Sequence, residues 1–310
     1  MLMIRPAGFG YNAETAASNV FQSEAAYGPD DVRTRAAAEF DGVVTVLRRA
    51  GVSIYVFEDS QVPLKPDAVF PNNWISFHED GTVILYPMLS QTRRSERRMD
   101  ILEGLSAEFE IREVLDLSFH ESDGRYLEGT GSIVFDHVQK IAYACLSPRT
   151  DRELLRVVCD RLHYEPFTFR ACDRLGNAIY HTNVMMCIAE RFAVACLDSV
   201  VDERERQDLE RSLIRGGKEL ISITMDQIYD FAGNMLSLKG AGGRDLIAMS
   251  QRALDSLSAE QRSAIGRYCE IVPLAIDTIE TVGGGSVRCM MAELFLSKRC
   301  ILRTTGSSHG

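Results

Sequence analysis

The sequence predicts an α/β fold in which a β-hairpin, a helix and a further strand recur along the chain. Short apolar runs of strand-like composition come in pairs joined by turn sequences. A charged, amphipathic segment follows each pair, and another strand-like run ends each group. The hairpins begin at Trp74, Ser132, Val184 and Met235, at spacings of roughly 50–60 residues, which is typical of a structural repeat.

Four units can be assigned in order. The first pairs WISF with TVILY and continues with an amphipathic stretch at Arg93–Leu105 and the strand IREVLDL. The second pairs SIVF with KIAYACL, followed by a helix at Arg152–Leu162 and the strand YEPFTF. The third pairs VMMCI with FAVACL, followed by a helix at Asp202–Ile214 and the strand ELISI. The fourth pairs MLSL with DLIAMS, followed by a helix at Ser258–Tyr268 and the strand EIVPLAI.

The two ends of the chain supply fragments of a fifth unit. The amino end offers strand Leu2–Arg5, helix Asp31–Arg49 and strand VSIYVF, and the carboxyl end offers SVRCMMAELFL and a last strand near Arg299–Arg303. A closed ring of five units explains this division, and closure also removes exposed sheet edges. An ordinary α/β sandwich is the alternative. We expect residues 1–310 to form a single domain.

Composition and charge exclude several classes of function. The chain has 310 residues, 45% of them hydrophobic, and a net charge of -10, which disfavours a nucleic-acid partner. The RRSERR run at Arg93–Arg98 is interrupted by Glu96, and we interpret it as a solvated helix face. No apolar run approaches the ~20 residues that span a membrane, and no signal peptide is recognisable. We expect a soluble, cytoplasmic protein with no membrane partner, and a homo-oligomer is left open.

The eight cysteines are scattered and contain no CxxC pair. This spacing favours neither a zinc site nor a disulfide framework, so we expect most of them to be buried free thiols. They are Cys145, Cys159, Cys172, Cys187, Cys196, Cys269, Cys289 and Cys300.

A short polar segment stands immediately before each hairpin: FPNN, LEGTG, YHTN and FAGN, with VGGGSVRC as the fifth equivalent. In a closed ring, equivalent positions meet around the axis, so one pocket should collect the polar side chains of all five segments. These are Asn72, Asn73, Glu128, His181, Asn234 and Cys289.

Cys289 has the strongest individual signal. It follows three glycines, and Ser286 is a candidate N-cap that would place it in the first turn of a helix, where the dipole favours a thiolate. A glycine loop with an incidental buried cysteine is the alternative. His181 alone is more typical of a satisfied core histidine, and a buried Glu128 would need a partner such as an imidazole. Together the three side chains predict a nucleophile, an acid/base and the group that orients it.

The motifs PDAVFPNNW, LEGTGS, LSPRT, YHTN and VGGGSVRC, in this order, resemble those of the amidinotransferase superfamily, which includes dimethylargininases and arginine deiminases. The resemblance covers essentially the whole chain. It implies a five-bladed αβ-propeller (pentein) fold, with Cys289 as nucleophile, His181 as general acid/base and Glu128 as the residue that orients His181. It also places Arg93 and Arg149 where these enzymes bind the substrate α-carboxylate.

The departures from the superfamily pattern concern charge. Asn72 and Asn73 replace an acidic pair of the dimethylargininases, and Asn183 and Gly131 replace aspartates of the arginine deiminases, whereas Asp67 is retained. A buried guanidinium requires anionic neighbours, so amides in their place favour a neutral ureido group. We therefore expect Asp67, Asn72, Asn73 and Asn183 to contribute to substrate binding, together with Arg93 and Arg149.

The superfamily match that we favour is the citrulline-hydrolysing branch. Citrulline would yield ornithine, ammonia and carbon dioxide through a covalent intermediate on Cys289, without a metal or organic cofactor. The alternatives are hydrolysis of dimethylarginine or arginine, transfer of an amidino group, and a non-catalytic propeller that only binds a partner.

Overall fold

The computed structural model describes residues 1–299. The expected last strand near Arg299–Arg303 and Cys300 therefore lie outside the described residues, apart from Arg299 itself. In chain order, the strands within residues 1–299 are β1 Leu2–Arg5, β2 Tyr55–Glu58, β3 Ile75–Phe77, β4 Thr82–Leu85, β5 Glu113–Asp116, β6 Val134–Asp136, β7 Ile141–Cys145, β8 Glu165–Phe169, β9 Met186–Ile188, β10 Phe192–Ala195, β11 Glu219–Ser222, β12 Leu236–Lys239, β13 Asp245–Ser250 and β14 Glu270–Leu274.

The helices connect strands within the sheets or lead from one sheet to the next. In chain order, the α-helices are α1 Ala13–Ala16, α2 Pro29–Arg49, α3 Gln91–Arg94, α4 Met99–Ser106, α5 Gly129–Ser132, α6 Arg152–Leu162, α7 Thr182–Met185, α8 Glu203–Ile214, α9 Met225–Tyr229, α10 Gln251–Ser256, α11 Ala259–Gly266 and α12 Asp277–Gly283. Short 3-10 turns occur at Pro71–Asn73, Ser118–Asp123, Leu197–Ser199, Ala241–Gly243 and Val287–Met290.

The strands form five small sheets. Four of them have three strands each: β3-β4-β5, β6-β7-β8, β9-β10-β11 and β12-β13-β14. In each, the first two strands are an antiparallel hairpin and the third pairs parallel with the second. A parallel pair needs a crossover, which helices supply, so the predicted hairpin-helix-strand unit is confirmed four times.

The fifth sheet is assembled from both ends of the chain. Strands β1 and β2 pair in parallel, and Leu2 also forms an isolated antiparallel bridge with Ala292. The amide of Leu2 donates to the carbonyl of Ala292 over 2.8 Å, and the amide of Ala292 donates back over 3.0 Å. This segment of the carboxyl end therefore occupies the place that the first hairpin strand holds in the other sheets. The arrangement fits a fivefold pseudosymmetry.

The amphipathic stretch expected at Arg93–Leu105 is not one helix. It consists of α3 and α4, separated at residues 95–98, where Arg98 has an extended backbone. The interpretation of the RRSERR run as a solvated face is also wrong, because Arg93 and Glu96 are buried and form an ion pair. The chain turns inward here to bury that pair, and this interrupts the helix.

A one-turn element stands before the hairpins, where the polar segments were expected. Ser132 and Val184, predicted to begin strands, belong instead to α5 and α7, and the strands start two residues later. The hydroxyl of Thr182 fixes this geometry, since it donates to the carbonyl of Ser132 and accepts from the amide of Cys145. These elements, and the equivalent turn at residues 71–73, pack against one another.

The core consists of the apolar residues of the sheets and the facing helix surfaces. The cysteines within residues 1–299 are all free, and most are buried, as expected. In that same part of the chain, no helix combines the length and the apolar character needed to cross a membrane.

Candidate active site

One small cavity is lined by most of the predicted site residues, namely Asp67, Asn73, Arg93, Arg149, His181 and Cys289. Glu128, Asn72 and Asn183 do not line it, and Asn183 lines a different pocket. Cys289 and His181 line it together, although they are more than a hundred residues apart in sequence. Its full lining is Thr15, Asn19, Asp67, Phe70, Asn73, Arg93, Arg149, Tyr180, His181, Gly283, Gly284, Gly285 and Cys289. Most of the side chains that line the cavity are therefore polar, and they come from segments that lie far apart in the sequence.

Cys289 lies in the isolated 3-10 turn Val287–Met290, which corrects the expectation that it begins a helix. Ser286 does not cap this turn, because its hydroxyl hydrogen-bonds instead to the buried carboxylate of Glu280. A single turn has too few aligned peptide groups to provide the dipole of a helix. The environment of the sulfur is set by side chains instead.

Two asparagine amides contact the sulfur. The Nδ2 atom of Asn183 lies 3.4 Å from Cys289 Sγ, and the Nδ2 atom of Asn234 lies 3.3 Å from it. All three side chains are buried. The sequence placed Asn234 among the residues that meet at the axis, but its type gave no signal that it would touch the sulfur.

His181 and Glu128 form the predicted pair, with His181 Nε2 at 2.8 Å from Glu128 Oε2. Burial lowers the pKa of His181 to about 4, although Glu128 acts in the opposite direction. The neutral imidazole therefore carries its proton on Nε2, where it donates to the carboxylate. Its Nδ1 atom is then the proton acceptor.

Glu128 is held in place by groups other than His181. The amide of Leu89 donates to Oε1 over 3.0 Å, and Arg149 Nη1 lies 3.4 Å from Oε2. Burial raises the pKa of Glu128, but the Arg149 guanidinium and the His181 hydrogen bond outweigh it, so the pKa lies well below its usual range. Glu128 is thus a fixed anion.

Arg93 is surrounded by acceptors from the protein itself. Its Nε and Nη2 atoms contact the carboxylate of Glu96 over 2.8 to 3.2 Å, and Nη1 donates to Asn73 Oδ1 over 2.9 Å. Asp67 Oδ2 lies 3.9 Å from Nε and accepts from Asn12 over 2.7 Å. Burial raises the pKa of Asp67 and raises that of Glu96 to about 7. Glu96 was not among the predicted site residues, because the charge run around it suggested exposure.

Arg149 contacts the segment that lies over the cavity. Its Nη2 atom donates to Ser18 Oγ over 2.6 Å and to the carbonyl of Thr15 over 3.0 Å, and its guanidinium lies over the ring of Tyr180. Asn19, in the same segment, donates to the carbonyl of Gly284 over 3.1 Å. This segment was not predicted to reach the site, because its residues form no recognisable motif.

The NVFQ segment, residues 19–22, packs against side chains next to the cavity. Phe21 packs against Tyr180, with ring centroids 6.0 Å apart, and Gln22 accepts a hydrogen bond from Thr15 over 3.0 Å. Both residues are buried, and neither lines the cavity itself.

Several amide atoms near the site have no hydrogen-bond partner among the described residues. They are Asn72 Nδ2 and Oδ1, Asn73 Nδ2, and Asn183 Oδ1, all of them buried. Buried polar groups are normally satisfied, and of these three residues only Asn73 lines the cavity, so its Nδ2 atom indicates where a polar ligand would bind.

The space between Asn73 and His181 leaves no room for a side chain at position 131, which is occupied by Gly131. A Cβ atom at that position would lie 2.4 Å from Asn73 Nδ2 and 2.6 Å from His181 Nδ1. Neither distance is tolerable, so the arrangement of Asn73 and His181 depends on glycine here.

Comparisons with known proteins identify the family and the fold. A family model described as N,N dimethylarginine dimethylhydrolase, eukaryotic, matches residues 5–296. No curated protein sequence matches the chain.

Solved structures share the fold at low identity. The substrate-bound N-terminal domain of ArgZ, an arginine dihydrolase of the ornithine-ammonia cycle in cyanobacteria, superposes with a TM-score of 0.73 at 15% identity, covering 96% of each chain. AgrE in complex with L-arginine gives 0.73 at 17% identity, covering 93% of this chain and 39% of AgrE. A dimethylarginine dimethylaminohydrolase adduct with S-methyl-L-thiocitrulline gives 0.62 at 16% identity, covering 93% of this chain and 96% of that one.

The match to ArgZ concerns one part of that protein. The chain spans only 40% of full-length ArgZ, whose N-terminal domain it covers almost completely. Another structure of this domain is covalently bonded to a reaction intermediate.

Proposed function

Since the chain belongs to the N,N-dimethylarginine dimethylhydrolase family, we propose that it hydrolyses C–N bonds with Cys289 as nucleophile and that its substrate is citrulline. The observation that carries the choice of substrate is the neutral, amide-rich environment of Cys289. The products would be ornithine, ammonia and carbon dioxide, with one water consumed.

The fold that supports this site is proposed to be a closed five-bladed αβ-propeller of the pentein type. The repeated sheets and the bridge between Leu2 and Ala292 support closure, because the bridge joins the two ends of the chain in one sheet. Closure would hold turns from five sheets around one axis. The site could then be rigid although its residues are distant in sequence.

The polar groups near the sulfur match a ureido group better than a guanidinium. A ureido group has a carbonyl acceptor and N–H donors and carries no charge. Asn73 Nδ2, which lines the cavity, is a donor without a partner among the described residues, and Asn183 Oδ1, beside Cys289 but outside the cavity lining, is an acceptor without one. The amides can therefore hydrogen-bond to both the carbonyl oxygen and the N–H groups of a ureido substrate, and no charged group has to be buried.

The carboxylates around the cavity are already paired with guanidinium groups. Asp67 and Glu96 lie beside Arg93, and Glu128 lies beside Arg149. A cationic substrate would have to share these anions, and an uncompensated buried charge is costly. This pairing favours the neutral substrate.

Substrate binding is proposed to use Arg149 for the α-carboxylate. Its Nε and Nη2 atoms contact the hydroxyl of Ser18, a neutral group that a carboxylate can displace. Arg93, in contrast, is already bound to the carboxylate of Glu96. Arg93 would then act mainly by holding Asn73 and Asp67, with Asn72 and Asn183 completing the ureido site.

In the first half of the reaction, the Cys289 thiol passes its proton to Nδ1 of the neutral His181, the thiolate adds to the ureido carbon, and the imidazolium delivers that proton to the departing nitrogen. The C–N bond breaks, and a thiocarbamate remains on the sulfur. Glu128 stabilises the imidazolium form that His181 takes during the transfer. The covalent intermediate in the ArgZ structure supports a route of this kind.

In the second half, His181 removes a proton from a water molecule that attacks the thiocarbamate carbon. The C–S bond breaks and the thiolate is restored. The released carbamate then decomposes to an amine and carbon dioxide. Catalysis by His181 should contribute on the order of 10²–10⁴-fold to the rate.

The test is a parallel assay of the purified protein with citrulline, arginine and dimethylarginine. We expect ornithine and ammonia from citrulline, and no turnover by Cys289→Ala with an unchanged unfolding curve. Cys172→Ala, which alters a half-buried cysteine outside the cavity, is the matched control and should stay active. Turnover by Cys289→Ala would exclude the nucleophile, and citrulline released from arginine would exclude the ureido substrate.

A guanidino substrate is the second candidate. The name of the family and the arginine dihydrolase activity of ArgZ favour it. In the same assay it would appear as consumption of arginine or dimethylarginine in preference to citrulline. Adding glycine as an acceptor tests for amidino transfer, and lack of turnover with every substrate would indicate a protein that only binds.

A further inference from the structure

The sulfur of Cys289 is contacted by two amides that come from different hairpin units. Asn183 lies two residues after His181, in α7, and Asn234 stands just before β12. Their Nδ2 atoms lie 3.4 and 3.3 Å from Sγ. These distances suit hydrogen bonds to sulfur, which is larger than oxygen.

The orientation of the Asn234 amide is determined by the backbone. Its Oδ1 atom accepts from the amide of Arg288 over 3.0 Å, so this atom must be the oxygen. Its Nδ2 atom donates to the carbonyl of Asn183 over 3.1 Å, so this atom must be the nitrogen. The amide atom nearer to Sγ, at 3.3 Å, is therefore an N–H donor, whereas Oδ1 lies 3.8 Å from Sγ.

A buried cysteine needs such donors if it is to react as a thiolate. Burial raises the pKa of Cys145, Cys159 and Cys187 to about 12, because desolvation of the thiolate outweighs the few groups that favour its charge. Cys289 is also buried, and its single 3-10 turn cannot replace a helix dipole.

We infer that Asn234 is a catalytic residue that stabilises the thiolate of Cys289 by donating a fixed amide N–H to its sulfur, with Asn183 as a second donor. The same arrangement restrains the nucleophile, since Asn234 also accepts a hydrogen bond from the backbone amide of Arg288, the residue that precedes Cys289. Asn183 keeps its Oδ1 free for the substrate.

This inference rests on the proposed function, because it assumes that Cys289 is the nucleophile. The other titratable groups that line the cavity are Asp67, Arg93, Arg149, Tyr180 and His181, with Glu128 behind His181. Substitution of Asn234 leaves all of them unchanged. A shift in the titration of the thiol can therefore be assigned to the lost amide.

The experiment is a pH titration of the Cys289 thiolate in the purified protein, without substrate. The ultraviolet absorbance of the thiolate is measured, and the signal that disappears in Cys289→Ala belongs to this residue. In Asn234→Ala we expect the thiolate fraction at neutral pH to fall about 10- to 100-fold, the effect of losing one hydrogen bond to a charged group. Alkylation by iodoacetamide should slow by a similar factor.

Asn72→Ala is the matched control. It removes another buried asparagine of the same ring of turns, one that makes no side-chain hydrogen bond to the sulfur, and should leave the titration unchanged. A folded Asn234→Ala with the wild-type titration would overturn the inference. Failure of citrulline hydrolysis alone would not, because the titration needs no substrate.

Asn234→Asp covers the case in which the alanine variant does not fold. It is nearly isosteric and keeps the oxygen that accepts from Arg288, but it directs an oxygen instead of an N–H at the sulfur. We expect the thiol to titrate at higher pH than in the wild type. A thiol pKa that is unchanged or lower would contradict the role assigned to the amide.

Discussion

The guanidinium of Arg93 is bound to the carboxylate of Glu96, three residues later, with Nη2 at 2.8 Å and Nε at 3.0 Å from its oxygens. Both side chains are buried, and Arg93 lines the cavity that contains Cys289. The pair interrupts the helix expected here and directs Nη1 to Asn73. A run of charges that suggests a solvated surface is therefore part of the site's framework.

Glu96→Gln should lower the free energy of unfolding. The substitution leaves the buried Arg93 with only the more distant anions Asp67 and Glu128, and breaking a buried pair costs about 3–5 kcal/mol. Urea denaturation at about pH 9, above the pKa of Glu96, measures the change. Glu110→Gln breaks an exposed pair with Arg112 and should change little. Equal stability of the two variants would show that the buried pair contributes no more than a surface one.

Arg149→Lys should raise KM for citrulline by about tenfold or more, with a smaller effect on kcat. Lysine keeps the charge but loses the planar pair of donors that a carboxylate binds. Steady-state kinetics measure both parameters. Arg125→Lys, at an exposed pair with Asp151, should leave them unchanged. A fall in kcat alone would indicate that Arg149 acts through Glu128 and not on the substrate.

The repeat could be predicted from the sequence because it depends on local patterns. Hairpins, turns and amphipathic helices each leave a periodic signal, and the division of one unit between the two ends follows from counting the others. The superfamily resemblance is confirmed by the family model. Where prediction failed, the cause was a buried side-chain contact that the local pattern does not reveal: Ser286 bonds to Glu280 instead of capping a helix, and Arg93 bonds to Glu96 instead of facing water.

Asn234 illustrates the same limit. Its place in the repeat predicted that it would reach the axis, but not that its amide would be directed at Sγ. That direction depends on the backbone groups of Asn183 and Arg288, which come from other parts of the chain. Side-chain orientation in a site assembled from distant segments cannot be read from local sequence.

The buried carboxyl group of Glu280 should make stability depend on pH. Burial raises its pKa from 4.5 to about 7, so the folded protein holds a proton that the unfolded chain has lost in this range. Its stabilising contribution is present below pH 4.5 and is lost as the pH rises through about 7. Glu280→Gln cannot lose a proton, and its amide oxygen can still accept from Ser286.

The stability of Glu280→Gln relative to the wild type should therefore increase from pH 5 to pH 8, by roughly 1–3 kcal/mol. Urea denaturation across this range measures it. The new amide beside Arg252 can also change the free energy of unfolding by an amount that does not depend on pH. Such a change shifts the plot of stability against pH as a whole and leaves its slope unaffected. Parallel curves for the two proteins would show that Glu280 is ionised at the same pH in the folded and unfolded states.

Asn73→Asp should shift preference from citrulline towards arginine. Asn73 Oδ1 accepts from Arg93 Nη1, and a carboxylate can keep this contact. The other atom, Nδ2, changes from a donor to an anionic oxygen in the cavity, close to Gly131 and His181. That oxygen removes a donor from the ureido carbonyl and supplies the negative charge that a guanidinium needs. The ratio of kcat/KM for citrulline to that for arginine should fall at least about tenfold, since one such charge is worth more than 1.4 kcal/mol in a buried site.

Asn177→Asp places the same charge in a turn outside the cavity and should leave the ratio unchanged. If the ratio stays constant in a folded Asn73→Asp protein, the neutral amides do not select the substrate, and selectivity must be sought in the contacts of Asp67 and Arg93.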